Sequence, residues 1–274
     1  MSMLFKRLFP QKFAVIGMIH VDPLPGTPLF KGNFETVVSK AIDEANIYLT
    51  NGVDGIMIEN MHDIPYIQSS NIGPETIACM TRVASMVKLT VGSSIPCGVQ
   101  ILACGNIEAL AVAKACNLDF IRAEGFVFSH VADEGFTDAC AGKILRYRKN
   151  IDASNVAVLT DIKKKHSSHA ITKDISILEA AQAAEFFLSD GIILTGTSTG
   201  SETNVDDILC LKNKIDSPLI VGSGVTLDNV ERYWHLADAA IIGSYFKQGG
   251  NWKNQLDEQK ISDLISKLKC FRKQ

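Results

Sequence analysis

Eight short apolar runs alternate with amphipathic stretches along most of the 274 residues. The runs are continuously apolar, which is typical of parallel strands covered on both faces. Strands that alternate with helices form βαβ units, and eight of them favour a single (β/α)8 TIM barrel over an open doubly wound sheet. No GxGxxG turn follows the first run, as a Rossmann fold would require. The predicted strands are Phe13–Ile19, Gly55–Ile58, Gly98–Ala103, Phe120–Arg122, Val156–Thr160, Gly191–Thr195, Leu219–Val221 and Ala239–Ile242.

The intervals between the runs carry helical patterns. Asn33 and Pro74 each precede apolar residues at helical spacing and predict helix starts. The longest interval, from Ala123 to Asn155, predicts an insertion after strand 4 with a large loop and a helix near Cys140–Lys149. No linker interrupts the chain, so residues 13–274 are expected to form one barrel domain. Further helices are predicted at Ile107–Cys116, Ile175–Leu188, Val205–Lys214 and the carboxy terminus.

Residues 1–12 differ from the rest of the chain. They contain Lys6, Arg7 and Lys12 and no acidic residue, and four apolar residues would form one side of a helix. This composition suits a short mitochondrial presequence. It equally suits an arm that covers the bottom of the barrel, and the sequence leaves both interpretations open.

Composition excludes several classes of protein. A net charge of −3 and a pI near 6.1 argue against nucleic acid as a partner. No apolar run approaches the roughly 18 residues that a membrane span needs. The seven cysteines form no CxxC pair, so we expect reduced thiols in an intracellular protein, which is cytoplasmic or, with a presequence, mitochondrial. These cysteines are Cys79, Cys97, Cys104, Cys116, Cys140, Cys210 and Cys270.

Glycine-rich turns follow the last three predicted strands. In (β/α)8 barrels the turns after strands 7 and 8 commonly bind phosphate through backbone N–H groups. We therefore predict a small phosphorylated ligand, although the same glycines would also suit tight loop exits without any ligand. The predicted phosphate-binding residues are Gly196, Thr197, Gly222, Ser223, Gly224, Gly243 and Ser244.

Titratable residues follow five of the predicted strands. Glu59, Arg122 and Asp161 directly end apolar runs and should meet at the carboxy-terminal end of the barrel. Paired charges in a pocket of low dielectric separate their pKa values, which favours catalysis, and the carboxylate further from Arg122 would be the better general base. The alternative is a salt-bridge network that stabilises the rim. The predicted catalytic residues are Glu59, Asp161, Arg122, Lys163, His20 and His166.

A divalent metal is a weaker hypothesis, and the sequence identifies no other cofactor. His20, Glu59, Asp161 and His166 could supply nitrogen and oxygen ligands for zinc or manganese. No HxH or HExxH spacing supports such a site.

Seven segments carry a resemblance to a known family: Val15–Pro28, Glu59-Asn60, Phe120–Phe126, Leu145–Ile151, Asp161–His166, Ile193–Gly200 and Val221–Val230. Together they resemble the BtpA family, which is named for a factor in photosystem I biogenesis. The resemblance covers roughly residues 13–255 and implies a barrel of the ribulose-phosphate-binding type. Two segments at the expected barrel end depart from the family pattern, Met61-His62-Asp63 and Ala123-Glu124.

Two functions remain open from the sequence. The glycine turns and clustered titratable residues indicate an enzyme for a small phosphorylated metabolite, of lyase, isomerase or hydrolase type. The family name implies the alternative, a non-catalytic assembly or stability factor for a membrane protein complex. A homo-oligomer is compatible with either function.

Overall fold

A computed structural model describes residues 3–273 as a closed barrel of eight parallel strands, which confirms the predicted fold. Each strand pairs with its neighbours in chain order, and the first strand closes against the last. The barrel strands are β1 Ala14–His20, β2 Gly55–Glu59, β3 Cys97–Gln100, β4 Phe120–Ala123, β5 Ala157–Asp161, β6 Gly191–Leu194, β7 Leu219–Val221 and β8 Ala239–Ile242.

One predicted strand is too long. We expected a strand to Ala103, but β3 ends at Gln100 and the chain turns back so that Gly105 N–H donates to the carbonyl of Ile101. Ile101, Leu102 and Ala103 are nevertheless buried. A buried apolar loop therefore has the same residue pattern as a strand.

Helices cover the outside of the barrel. The predicted start of α2 is confirmed, since Asn33 accepts from Thr36 N–H, and Gly52 caps the other end with a left-handed φ of 75°. The helices are α1 Met3–Leu8, α2 Phe34–Asn51, α3 Pro74–Val91, α4 Asn106–Ala115, α5 Ala141–Asn150, α6 Ile177–Phe186, α7 Val205–Leu211, α8 Val230–Trp234 and α9 Glu258–Arg272. Short 3₁₀ turns occur at Ser69–Asn71, Ala170–Thr172, Ser244–Phe246 and Gln248–Gly250.

The insertion between β4 and β5 contains α5 and a small antiparallel sheet. A hairpin of His130–Ala132 and Gly135–Thr137 pairs with Ser167–Ser168, which follows β5. The sheet therefore ties the insertion to the loop after β5, at the carboxy-terminal end of the barrel.

The amino-terminal end of the barrel is closed by aromatic rings. Phe5 and Phe9 are almost fully buried and belong to the same apolar cluster as the inward side chains of the strands. The ring centroids of Phe9 and Phe120 lie 5.8 Å apart, and a Cβ on Gly55 would come within 2.8 Å of the Phe9 ring. We call Phe5, Phe9 and Phe120 the aromatic plug.

All seven cysteines are unpaired, as predicted. Among residues 3–273, no helix is both long and apolar enough to cross a membrane.

Candidate active site

Five polar side chains form one inward row at the carboxy-terminal end of the barrel, which we call the mouth. Side chains alternate along a strand, so every second residue points into the barrel. His20 therefore points inward like Met18, and Glu59 points inward like Met57. Strand register places His20 beside Glu59, and Glu59 beside Gln100. The five residues are His20, Glu59, Gln100, Arg122 and Asp161, and each is buried.

Arg122 and Asp161 form a closed pair. The guanidinium donates from Nε to Oδ2 at 2.7 Å and from Nη2 to Oδ1 at 2.8 Å. Burial alone would lower the pKa of Arg122, but the attraction of Asp161 outweighs it and raises that pKa. Arg122 therefore stays charged, and its two hydrogen bonds hold the fully buried Asp161 side chain in place.

Glu59, the other carboxylate of the row, forms no hydrogen bond with Arg122. Within residues 3–273 its side chain accepts no hydrogen bond, and the Nε2 atom of His20 lies 3.9 Å from its Oε2. Burial raises the pKa of Glu59 and outweighs the opposing effects of Arg122 and Lys165. A carboxyl group of this kind can hold or release a proton closer to neutral pH than an ordinary glutamate can.

The His20 ring has a defined proton position. Its Nδ1 lies 3.3 Å from the backbone carbonyl of Trp252, and since a carbonyl only accepts, Nδ1 carries the hydrogen. Burial and the nearby Lys247 lower the pKa of His20 well below its usual value, so the ring is neutral. Nε2 then carries no hydrogen, and its lone pair is available as an acceptor on the side of Glu59.

The three lysines that follow β5, Lys163 to Lys165, lie in different surroundings. Lys163 Nζ donates to the carbonyl of Thr172 at 3.3 Å, and this side chain does not line the mouth. Lys164 Nζ lies 3.4 Å from Glu124 and is buried. Lys165 lines the mouth, and its amine forms no ion pair or hydrogen bond within residues 3–273. Burial, followed by repulsion from Arg122, lowers the pKa of Lys165.

His166 lies at the edge of the mouth. It is exposed, and its Nε2 lies 3.0 Å from the Thr199 hydroxyl and accepts from Thr199 N–H at 3.2 Å. It therefore joins the loops after β5 and β6 and stays apart from the Glu59 carboxylate.

The turns after β7 and β8 line a cavity of about 160 Å³, which we call the turn cavity. Among residues 3–273, the backbone N–H groups of Ser223, Gly224, Gly243 and Ser244 donate to no acceptor. Ser223 is buried and the other three residues are half-buried at the cavity wall, so these N–H groups are available to an acceptor bound in the cavity. His20, Glu59, Arg122 and Lys165 line the same cavity.

The turn after β6 contributes less than expected. Gly196 N–H donates to Ser223 Oγ at 2.7 Å, and Thr197 uses its carbonyl to accept from His166 N–H. Neither residue lines the turn cavity. Gly196 therefore supports the Ser223 turn, and both its N–H and the Thr197 carbonyl are already used.

The glycine requirement is strictest at Gly224. Its φ is 73°, and a Cβ there would lie 2.3 Å from the Glu202 Cα and 2.4 Å from the Ser201 carbonyl oxygen. Gly224→Val would therefore disturb the fold as well as the cavity, because the new side chain would collide with backbone that cannot move aside cheaply.

The four metal candidates do not form a ligand set. Asp161 binds Arg122, His166 bonds to Thr199, and His20 Nδ1 bonds to Trp252. No group of three or more His, Cys, Asp or Glu residues within 3–273 could hold a metal ion.

A second, larger cavity of about 460 Å³ shares Glu59, Arg122 and Lys165 with the turn cavity. We call it the outer cavity. One wall is apolar and contains Met61, Leu102, Ala103, Tyr66 and Trp252. The opposite wall comes from the insertion and the lysine run and contains Glu124, Asp133, Glu134 and Lys164.

Comparison with known proteins identifies the family. The sequence model of the BtpA family matches residues 11–270. The chain belongs to the BtpA family. An uncharacterised mitochondrial protein of Caenorhabditis elegans is 44% identical over 94% of each chain. The photosystem I biogenesis protein BtpA of Synechocystis is 31% identical over 93% of this chain and 87% of its own.

Solved structures show the same fold at low sequence identity. The geranylgeranylglyceryl phosphate synthase of Thermoplasma acidophilum, in complex with sn-glycerol-1-phosphate, superposes with a TM-score of 0.60 at 15% identity and covers 97% of this chain and 98% of its own. The phosphoribosylanthranilate isomerase of Pyrococcus furiosus gives a TM-score of 0.57 at 14% identity over 94% of this chain and 99% of its own.

Three residues of the mouth, Gln100, Lys165 and Trp252, were not predicted as site residues. Gln100 lies inside an apolar run, and Lys165 was not separated from Lys163 in the same loop. Left-handed backbone at Lys163 and His166 breaks the alternation that would have placed Lys163 inward. Trp252 follows β8 by ten residues and carries no sequence signal of its own.

Proposed function

We propose that this BtpA-family chain is an enzyme that acts on a small phosphate monoester. The observation that carries the proposal is the set of four unpaired backbone N–H groups, among residues 3–273, in two turns that line one cavity with Glu59 and Lys165. Backbone N–H groups at glycine-rich turns are suited to phosphate oxygens, because no side chain prevents close approach.

The proposed roles follow from charge and bonding. The N–H groups of Ser223, Gly224, Gly243 and Ser244 bind the phosphate, and the unpaired amine of Lys165 neutralises it. The Arg122–Asp161 pair supports this arrangement and orients the substrate across the mouth. Binding of a dianion beside Lys165 raises the pKa of that amine, which keeps it charged.

Glu59 and His20 are the proposed proton-transfer groups. Glu59 has a raised pKa, and the free Nε2 of His20 lies on its side. A carboxyl group and a neutral imidazole can pass a proton to or from a substrate between them. Lyase, isomerase and hydrolase reactions all require such a transfer, and the proposal covers these three types.

Thermal unfolding with phosphate ligands tests the proposal. Inorganic phosphate and sn-glycerol-1-phosphate should raise the melting temperature, since a ligand at 100 times its Kd adds about 2.7 kcal/mol. Lys165→Met should remove most of this shift because the anion loses its cation. Lys163→Met is the matched control, since it makes the same change in the same loop outside the mouth. A shift that persists in Lys165→Met and disappears in Lys163→Met would refute the proposed binding mode.

The alternative is a non-catalytic assembly factor, as the name of the Synechocystis relative suggests for that protein. An exposed apolar group at the end of α6, Phe186 to Leu188, favours a protein partner or a second copy of the chain. Charge substitutions at Phe186 and Leu188 should abolish such an association and leave phosphate binding intact.

The name of the C. elegans relative gives a mitochondrial location for that protein. We propose the same location for this chain, and cell fractionation tests it. We also propose that the arm belongs to the folded protein, because Phe5 and Phe9 close the barrel.

A further inference from the structure

The outer cavity contains buried acceptors without donors. Gln100 is 2% exposed, and within residues 3–273 its amide Oε1 has no hydrogen-bond partner. The side chain of Glu134 is 6% exposed, and its Oε1 lies 4.0 Å from Lys164 Nζ but accepts no hydrogen bond from the same residues. The Glu59 carboxylate lines the same cavity. Buried polar groups are normally satisfied, so the two buried acceptors, Gln100 and Glu134, indicate a ligand that supplies donors.

The charges around the outer cavity have an acidic excess. Four acidic and three basic side chains line it, and two of the basic ones are already engaged. Arg122 is held by Asp161, and Lys164 lies 3.4 Å from Glu124. Of these three, Lys165 is the cation that remains, and it shares the cavity with Glu59, Asp133 and Glu134. A phosphate bound in the turn cavity would engage Lys165 as well, which leaves the outer cavity more acidic still.

The apolar wall limits the kind of ligand further. Met61, Leu102, Tyr66 and Trp252 offer hydrocarbon and ring surfaces opposite the acidic wall. A short carbon skeleton can pack on this wall while its polar end reaches the carboxylates. A second anionic group would instead lie among carboxylates that outnumber the nearby cations, which is electrostatically unfavourable.

We infer that the ligand is a phosphate monoester whose other end carries a protonated amine, with the amine bound by Glu134 and Gln100 in the outer cavity. The inference rests on the proposed phosphate site and adds the chemical class of the remaining part of the ligand. Phosphorylated carboxylic acids are excluded from this class by the same charges.

Three synthetic probes of similar length test the inference by calorimetry. They are 4-aminobutyl phosphate, 4-hydroxybutyl phosphate and 3-carboxypropyl phosphate. The amine should bind about tenfold more tightly than the alcohol, a difference of about 1.4 kcal/mol, and the carboxylate should bind most weakly. An amine that binds no more tightly than the alcohol would overturn the inference.

Two variants locate the amine. In Glu134→Gln the amine probe should bind only about as tightly as the alcohol probe. Glu35→Gln, on an exposed side chain outside both cavities, should leave the preference for the amine unchanged. Gln100→Leu should weaken amine binding without altering the Kd of inorganic phosphate, and this second variant decides the question if Glu134→Gln does not fold. A preference that survives both variants would also overturn the inference.

The proposed function and the inference fail in different ways. If inorganic phosphate protects the fold but the probes show no preference, the inference fails and the phosphate site stands. If neither inorganic phosphate nor any probe shifts the melting temperature, the phosphate site fails and the inference fails with it.

Discussion

The two ends of this barrel are built on opposite principles. At the amino-terminal end, the aromatic plug fills the space between the strands with Phe5, Phe9 and Phe120, which expose almost nothing. At the mouth, the inward positions of the same strands carry His20, Glu59 and other polar groups, several of them without partners among residues 3–273. An unpartnered buried polar group costs stability, whereas a buried ring contributes it. The difference indicates that the plug stabilises the fold and the mouth is retained for a ligand.

The mouth itself contains the same contrast on a smaller scale. Arg122 and Asp161 satisfy each other with two short hydrogen bonds. Glu59 sits in the same row and has no donor within residues 3–273. Two carboxylates at the ends of strands therefore have different expected roles, one of support and one of chemistry. Substitutions that neutralise each of them measure this difference.

Asp161→Asn should give the largest effect. Removing one partner leaves the Arg122 guanidinium charged and buried, and breaking such a pair typically costs about 3–5 kcal/mol. We expect the free energy of unfolding to fall by that amount in urea titrations. Asp152→Asn removes an exposed carboxylate and should have little effect. If both variants lost the same free energy of unfolding, the supporting role of the Arg122–Asp161 pair would be contradicted.

Phe9→Ala should destabilise the protein by about 3 kcal/mol, the lower end for a buried ring, because the short arm can partly collapse into the gap. Phosphate protection of the folded protein should be unchanged, since Phe9 lies at the opposite end from the turn cavity. Met3→Ala, at an exposed residue of α1 in the same arm, is the control. A loss of phosphate binding in Phe9→Ala would contradict the division of roles between the two ends.

The barrel could be predicted from the sequence because its signal is local. Continuous apolar runs, caps such as Asn33 and Gly52, and the glycine turns each depend on a few adjacent residues. Strand register then follows from burial, which brings His20, Glu59, Arg122 and Asp161 to one end as expected.

The details of the mouth could not be predicted because they depend on loops. Left-handed backbone at Lys163 decides which lysine of the run reaches the mouth. Trp252 reaches His20 from a turn 232 residues later in the chain. The partner of Arg122 could have been either carboxylate, and only the three-dimensional register selects Asp161.

The most direct test is the stability of Glu59→Gln relative to wild type as a function of pH. Burial raises the pKa of Glu59 in the folded state above the usual glutamate value of 4.5, so its ionised form costs stability. Below that value Glu59 is protonated in both states and the cost is absent. As the pH rises through the folded-state pKa, the cost reaches its full value.

We predict that Glu59→Gln matches wild type near pH 4 and becomes more stable by about 0.5–2 kcal/mol at pH 7 and above, while any activity is lost. Glu231→Gln makes the same change on an exposed side chain and is the matched control. A Glu59→Gln variant that is less stable than wild type at pH 7 would show that Glu59 supports the rim of the barrel, and would contradict the account.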